Sequence, residues 1–153
     1  MTLDEQILAQ YRASLAEKRA AVAKLAGHLK FSLGRLPYPL ASLDTLDPVS
    51  LESVSALIER FGKLQDLLGG VFREILLVAG EDASDMARVL ARMEKLELLP
   101  SVERWRAMRA LRNLGAHEYA PDDAGRTRFV NAVAADVPEI LAIADRVTAR
   151  TMP

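Results

Sequence analysis

Apolar residues recur at steps of three and four along three long segments of the chain, and this periodicity constrains the fold more than any other feature. The first segment spans about residues 3–33, the second ends near residue 79, and the last spans about residues 122–150. Such spacing places apolar side chains on one face of an α-helix. We therefore predict three long amphipathic helices. In the first, the stripe consists of Leu8, Tyr11, Leu15, Val22, Leu25 and Leu29.

Helix-breaking residues separate these segments. The stretch GRLPYPLASLDTLDPVS holds three prolines, which predict a connection that crosses from one end of a bundle to another. Ser50 is the predicted N-cap of the second long helix, and Gly80 is its predicted stop. Two shorter helices, about residues 84–98 and 101–116, are predicted before the last helix, which Pro138 should kink or divide.

Composition supports an all-α fold and excludes several kinds of site. Apolar residues make up 50% of the 153 residues and aromatic residues only 5%, and there is no cysteine, which excludes disulfides and thiolate ligands. Two histidines are too few for a histidine-rich metal site. Carboxylate-only sites stay open, although no DxD or ExxH pattern is present. We expect no metal and no cofactor.

The same composition bounds location and architecture. No stretch approaches 18 uncharged apolar residues, so we expect no membrane span. The absence of cysteine suits a reducing cytosol, and we expect a cytoplasmic protein. The predicted fold is a single all-α domain over residues 1–153, an up-and-down bundle of four to five helices.

The fourth predicted helix has two apolar faces. With Trp105 as reference, Met108, Arg109 and Arg112 fall on the same side, whereas a second apolar patch lies opposite. One patch must serve the core, and an arginine is costly to desolvate unless it is paired. We therefore expect the face with the tryptophan and the arginines to meet a second subunit, an anion, or both. The alternative is that the arginines extend to water around the tryptophan.

Four further polar features bear on a possible site. Gln65 lies within the apolar stripe of the second helix, where it is either a hydrogen-bonded core amide or part of the same cleft. Its neighbour Asp66 is most simply solvent-exposed, and His28 is structural or exposed. Between Arg104 and Arg112 there are four arginines and no acid, a local basic patch that suits phosphate contacts.

The segment RNLGAHEY ends the fourth helix and combines groups that suit RNA cleavage. The imidazole of His117 can transfer a proton near neutral pH, and the guanidinium of Arg112 can bind a phosphate. Asn113 lies one turn before the histidine and could orient it. Five residues correspond to about 140° around an ideal helix, so the arginine and the histidine diverge within one helix. They converge if the helix unwinds at Gly115, or if two protomers pair across a two-fold axis.

This segment resembles the RNxxxHxY signature of HepT-like toxins in the HEPN superfamily. The sequence around it, MARVLARMEKLELLPSVERWRAMRALRNLGAHEY, and RFGKLQDLLG in the second helix also look like that family. The resemblance covers about residues 55–120. It implies a HEPN-like bundle that dimerises around the motif and acts as a metal-independent endoribonuclease. It also implies a cognate minimal nucleotidyltransferase antitoxin that adenylylates the motif tyrosine, here Tyr119.

Three hypotheses follow. In the first, the chain is a ribonuclease toxin in which Arg112 binds the scissile phosphate, His117 is the general acid or base, Asn113 orients, and Tyr119 accepts AMP. In the second, it is a non-catalytic substrate-binding subunit of a nucleotidyltransferase, as some relatives of the family are described. In the third, it is a structural helical dimer whose motif only packs. The remaining candidates for RNA or interface contacts are Arg109, Trp105 and Gln65.

Overall fold

The computed structural model describes residues 1–117 and 122–150, which form five α-helices and no strand. The all-α prediction is therefore confirmed for this part of the chain. The helices are α1 (Leu3–Gly34), α2 (Pro48–Val78), α3 (Met86–Lys95), α4 (Val102–His117) and α5 (Asp123–Ala149). The long helices match their predicted bounds to within a few residues, and α3 is shorter than predicted.

Ion pairs and hydrogen bonds fix the direction of α1 against α2. Near the middle of α1, Lys18 Nζ lies 2.5 Å from Glu74 Oε1, which is near the end of α2. Near the end of α1, Ser32 accepts a hydrogen bond of 2.6 Å from Arg60, in the first half of α2. The two helices are therefore antiparallel.

The remaining long helices continue this alternation. Gln65 of α2 donates to the Met108 carbonyl of α4, and α5 runs antiparallel to α4. Arg19 of α1 donates to the Val147 carbonyl at the end of α5, so the last helix closes the bundle against the first. Helices α1, α2, α4 and α5 thus form an up-and-down bundle, and the short α3 connects α2 to α4.

Helix α2 lies at the centre of the apolar core and contacts all four other helices. Its fully buried side chains include Phe61 and Phe72. The ring of Phe72 meets the indole of Trp105 edge to face, with 5.2 Å between the ring centroids. The face of α4 that carries the tryptophan is therefore packed into the core through an aromatic pair.

The ends of the helices correct two predictions. Asp47, not Ser50, is the N-cap of α2; its side chain accepts from the Ser50 N–H, which lowers the pKa of the Asp47 carboxyl, and Pro48 occupies the first turn. Gly80 ends α2 as predicted, with a φ of 74° in the left-handed region. Pro138 lies inside α5 and does not divide it.

The proline-rich connection stays at one end of the bundle. Because α1 and α2 are antiparallel, the chain leaves and re-enters at the same end, so the predicted crossing from end to end is wrong. Residues 40–44 are fixed to the start of α5 instead. Asn131 both accepts from the Leu40 N–H at 2.7 Å and donates to the Leu40 carbonyl at 2.9 Å. Asp123 accepts from the Ser42 hydroxyl, and this bond lowers the pKa of the Asp123 carboxyl.

None of the helices in the described ranges combines the length and the apolar character that a membrane crossing requires.

Candidate functional site

The structure decides which face of α4 is buried. Trp105 and Met108 are core residues, with 4% and 0% of their surfaces exposed. Most of the opposite patch is open to solvent: Ala107 and Ala110 are exposed and Leu114 is 44% exposed, whereas Leu111 is half-buried and packs against the core. Trp105 and Met108 therefore pack in the core, and the expectation that this face meets a second subunit, an anion, or both stays a prediction for the arginines at its edge. The arginines on this face lie at its edge, against α2.

Asp66 of α2 pairs with both of these arginines. Its Oδ1 lies 2.7 Å from Arg109 Nη1, and its Oδ2 lies 2.9 Å from Arg112 Nη2. Asp66 is about half exposed and was predicted to be solvent-exposed, but its role as a shared partner was not predicted. Each arginine is thus paired with an acid of the same chain. The helical wheel of α4 alone does not predict this pairing, because the acid lies on α2. Two positive charges share one negative charge, which leaves the cluster with an excess positive charge.

Gly62, one turn before Asp66, leaves room for the side chain of Arg112 to pack on α2. A Cβ atom at residue 62 would lie 3.0 Å from Arg112 Nε and 3.2 Å from its Cγ. The arginine side chain therefore lies across bare helix backbone before it reaches the carboxylate. We call Gly62 and Asp66 the α2 seat of Arg112. Burying the stem of Arg112 in this way restricts its rotamers and fixes the guanidinium.

Helix α4 is continuous from Arg112 to His117, the described part of the motif. Its range, Val102–His117, includes Gly115, so the helix does not unwind there. Gly115 has a packing role instead: a Cβ atom at this position would lie 2.2 Å from Cζ of Phe129 on α5. Because the backbone stays helical, Arg112 and His117 keep their separation of about 140° around one helix. Of the two ways in which they could converge, pairing of two protomers is the one that the backbone leaves open.

Four further residues were discussed in the sequence analysis. Asn113 is exposed on α4. His117 is the last residue of α4, and its side chain lies outside the described residues, as does Tyr119 entirely. His28, predicted to be structural or exposed, is exposed.

The four arginines of α4 do not form one basic patch. Arg104 points towards α5, where its Nη2 lies 2.9 Å from both Asp136 Oδ1 and Glu139 Oε2. Hydrogen bonds to Glu139 and then to Asp136 raise the pKa of Arg104. Of the other three arginines, Arg109 and Arg112 lie together on the side of α4 that faces α2, whereas Arg106 is exposed.

Gln65 is buried beside this cluster, with 1% of its surface exposed. Its Nε2 donates to the Met108 carbonyl at 3.2 Å, so the interpretation as a core amide is confirmed. Its Oε1 has no hydrogen-bond partner among the described residues. Gln65 also lines a cavity of about 360 Å³, together with Asp66, Gly69, Gly70, Arg73, Met86, Trp105 and Arg109. The two interpretations of Gln65 are therefore compatible, since a core amide can also face a cleft.

The described part of the chain contains no cluster of metal-ligating side chains. Across residues 1–117 and 122–150, no three histidine, aspartate or glutamate side chains lie together as a metal site would require. A scan against protein-family models finds no match to this chain, and searches of curated proteins and of solved structures find no similar protein.

Proposed function

We propose that this chain is a HepT-like toxin, a metal-independent endoribonuclease that acts as a homodimer on cytoplasmic RNA. The observation that carries the proposal is the α2 seat of Arg112. The guanidinium is held by Gly62 and Asp66 at the edge of an uninterrupted helix that ends at His117. A pre-positioned arginine on the same helix as a terminal histidine can supply one half of a shared site in which a phosphate is bound and then attacked.

The chemistry needs no group beyond side chains and RNA. The 2′-oxygen of a ribose attacks the adjacent phosphorus, and the bond from phosphorus to the 5′-oxygen breaks. A base removes the 2′-hydroxyl proton, an acid protonates the leaving 5′-oxygen, and the products are a 2′,3′-cyclic phosphate and a 5′-hydroxyl. Arg112 would stabilise the charge on the phosphorane, and His117 would transfer the proton.

A dimer supplies the groups that one protomer cannot. Arg112 and His117 diverge on a continuous α4, so a composite site takes the arginine of one protomer and the histidine of its partner. A two-fold axis near α4 generates two such sites, or one central site with two histidines that serve as base and acid.

Asp66 would set the charge of the site before RNA binds. It accepts one hydrogen bond from each arginine and neutralises one of the two charges. The remaining donors of the two guanidiniums stay available to a phosphate. Asp66 is thus a positioning residue, since it acts on the phosphate through Arg112.

Regulation follows from the family resemblance. A cognate minimal nucleotidyltransferase antitoxin would adenylylate Tyr119, two residues after His117. AMP there would add an anion and bulk beside Arg112, and RNA would be excluded. Co-expression with the antitoxin should therefore add the mass of one AMP to each chain, mapped to Tyr119.

The decisive experiment is RNA cleavage by the purified chain in the presence of a chelator. We expect the wild type to cut RNA, and Arg112→Ala and His117→Ala to lose cleavage. Arg104→Ala is the matched control, because it removes the same charge from the same helix on the side that faces α5. Loss of cleavage in Arg104→Ala as well, or no cleavage by the wild type, would overturn the proposal.

Mixing the two inactive variants tests the composite site. A heterodimer of Arg112→Ala with His117→Ala contains one intact arginine and one intact histidine on different protomers. If the site is shared, mixing restores part of the activity, whereas a site within one protomer stays inactive in every combination. The readout therefore separates the shared site from a site built within one chain.

A second function is favoured by a specific observation. Asp66 already satisfies Arg109 and Arg112 in the free chain, so the cluster is balanced to within one charge without RNA. A non-catalytic substrate-binding subunit of a nucleotidyltransferase would have the same arrangement. It predicts a tight complex with the nucleotidyltransferase and no cleavage of RNA by the wild type.

A further inference from the structure

The cavity between α2, α3 and α4 is large enough for a small ligand. Its volume of about 360 Å³ lies in the range of small-molecule sites in proteins. Gly69 contributes to its wall, and a Cβ atom there would meet no described atom within 4 Å. The bare backbone at Gly69 thus leaves this part of the cavity open.

The buried amide of Gln65 gives this cavity a chemical preference. Its Nε2 faces the Met108 carbonyl, and a flipped amide would place two oxygens against each other, so the orientation is fixed. The group left without a partner is therefore the carbonyl oxygen Oε1, in a residue that is 1% exposed. An unpaired buried acceptor is costly, and a ligand that donates an N–H would remove that cost. Because Oε1 has less than 1 Å² of accessible surface, the ligand reaches it through a small shift of the cavity wall.

The other walls indicate what else the ligand carries. Trp105 and Met86 supply apolar surface, which suits a flat ring. Arg109 lines the same cavity and joins it to Arg112 through Asp66. Arg73 also lines it, is exposed, and forms no ion pair within the described ranges. The cavity therefore combines an acceptor and apolar walls with cations beside it.

We propose that this cavity is a base-binding subsite that takes a nucleobase with an N–H donor on its edge, such as the amino group of adenine. The Gln65 carbonyl accepts from the base, Trp105 and Met86 contact the ring, and Arg109 binds the phosphate of the same nucleotide. Gln65 is then a specificity-determining residue. That the base belongs to bound RNA rests on the proposed function; the binding of a nucleotide does not.

Trp105 is the one tryptophan of the sequence and lines the cavity, so its fluorescence reports on the site directly. The purified protein is titrated with adenosine monophosphate and with purine riboside monophosphate, which has the same ring without the amino group. We expect adenosine monophosphate to change the fluorescence and to bind about tenfold more tightly than the analogue, the effect of one hydrogen bond to a buried acceptor. Ribose 5-phosphate and inorganic phosphate should bind more weakly still.

Two variants separate the base from the phosphate. Gln65→Met keeps the shape and removes the acceptor, so we expect it to abolish the difference between the two nucleotides. Gly69→Leu fills the cavity from a position where the added Cβ has room, and we expect it to lose the binding of both. Circular dichroism and thermal unfolding establish that each variant is folded.

The outcomes distinguish this inference from the proposed function. If both nucleotides bind alike, or if inorganic phosphate binds as tightly as adenosine monophosphate, the site is a simple anion site and the inference is wrong. RNA cleavage without nucleotide binding in the cavity would overturn the subsite and leave the ribonuclease. Nucleotide binding that responds to Gln65→Met, in a chain that cuts no RNA, would support the subsite and overturn the ribonuclease.

Discussion

On each of its two sides, helix α4 is held by a close contact at a glycine and by ion pairs between arginines and acids. The ratio of arginines to acids is opposite on the two sides. On the α5 side, one arginine meets two acids, Asp136 and Glu139, and Gly115 admits the ring of Phe129. On the α2 side, two arginines meet one acid, and Gly62 admits the stem of an arginine. The first side has its positive charge fully compensated, and the second has one positive charge in excess.

The difference indicates which side is structural and which is functional. A rigid aromatic ring against a glycine fixes the distance between two helices. An arginine that is already paired with two acids has no excess positive charge with which to bind an anion. A flexible arginine against a glycine fixes a charge instead, and an unsaturated cluster beside a cavity can bind an anion. We therefore expect substitutions on the α5 side to change stability, and those on the α2 side to change binding and cleavage.

The largest effect is expected from Gly115→Ala. The added Cβ would lie 2.2 Å from Phe129 Cζ, so α4 and α5 must move apart or the ring must leave its place. Overpacking of this kind destabilises by about 2 kcal/mol, even after the better helix propensity of alanine is included. Urea unfolding measures the loss, and Phe129→Leu in the same chain should restore part of it. Wild-type stability in Gly115→Ala would show that this contact is not tight.

Gly62→Ala is the matched substitution on the other side. The added Cβ meets the flexible side chain of Arg112, which can move, so we expect the free energy of unfolding to change by less than about 1 kcal/mol. Arg112 then leaves its seat, and RNA cleavage should fall by about tenfold, as expected for a misplaced catalytic group. A stability loss as large as that of Gly115→Ala, with unchanged cleavage, would contradict the proposed difference between the two sides.

Asp66→Asn should tighten RNA binding. The variant removes the negative charge that Arg109 and Arg112 share, so the cluster gains one unit of positive charge. In a His117→Ala background, which prevents cleavage, we expect the affinity for RNA to rise about threefold and its salt dependence to steepen. Asp136→Asn removes an acid from the α5 side and is the control, with unchanged affinity. Equal effects of the two variants would mean that only net charge matters.

The smallest effect, a change in melting temperature, is expected from Asp123→Asn. Asp123 is the acid of α5 that binds the proline-rich connection. The hydrogen bond from Ser42 lowers the pKa of Asp123, so the ionised carboxylate stabilises the folded state. This contribution is complete above the ordinary carboxyl pKa of about 3.9 and is lost as the pH falls through the lowered value. Asp123→Asn should thus lower the melting temperature slightly at neutral pH and not in strong acid.

Asp145→Asn, an exposed position on the same helix, is the control for the change in charge. Thermal unfolding followed by circular dichroism across the acidic range measures both variants. The same small loss in Asp145→Asn, or a loss in Asp123→Asn that persists in strong acid, would contradict the structural role of Asp123. Cleavage should be unchanged in both variants, because neither position touches the α2 seat.

Much of the fold could be predicted from local sequence. The apolar stripes of α1, α2 and α5 predict their ranges, because a periodicity of 3.6 residues persists over many turns. Gly80 marks the end of α2, since few other residues adopt its φ of 74° easily. The predicted N-cap of α2, Ser50, was wrong, because Asp47 is an equally good cap residue and lies three positions earlier. Pro48 favours Asp47 as the N-cap, since proline is favoured in the first turn of a helix and Asp47 directly precedes it.

The candidate site was only partly predictable. Arg112 and His117 follow from the motif, and Gln65 is conspicuous as a polar residue in an apolar stripe. Asp66 and Gly62 carry no such local signal, because their roles depend on an arginine almost fifty positions away in the chain. Their partner becomes visible only when α2 and α4 pack against each other.

The sequence by itself determined five helices, their approximate ends, and the residues that can bind and transfer protons. These properties are local, since they depend on spacing and on side-chain chemistry within a few turns. Tertiary structure decided which apolar face of α4 is buried, that α4 stays helical through Gly115, and that Asp66 is shared by two arginines. Helix α4 offers two apolar faces of similar width, and only the helices packed around it select the one that faces the core.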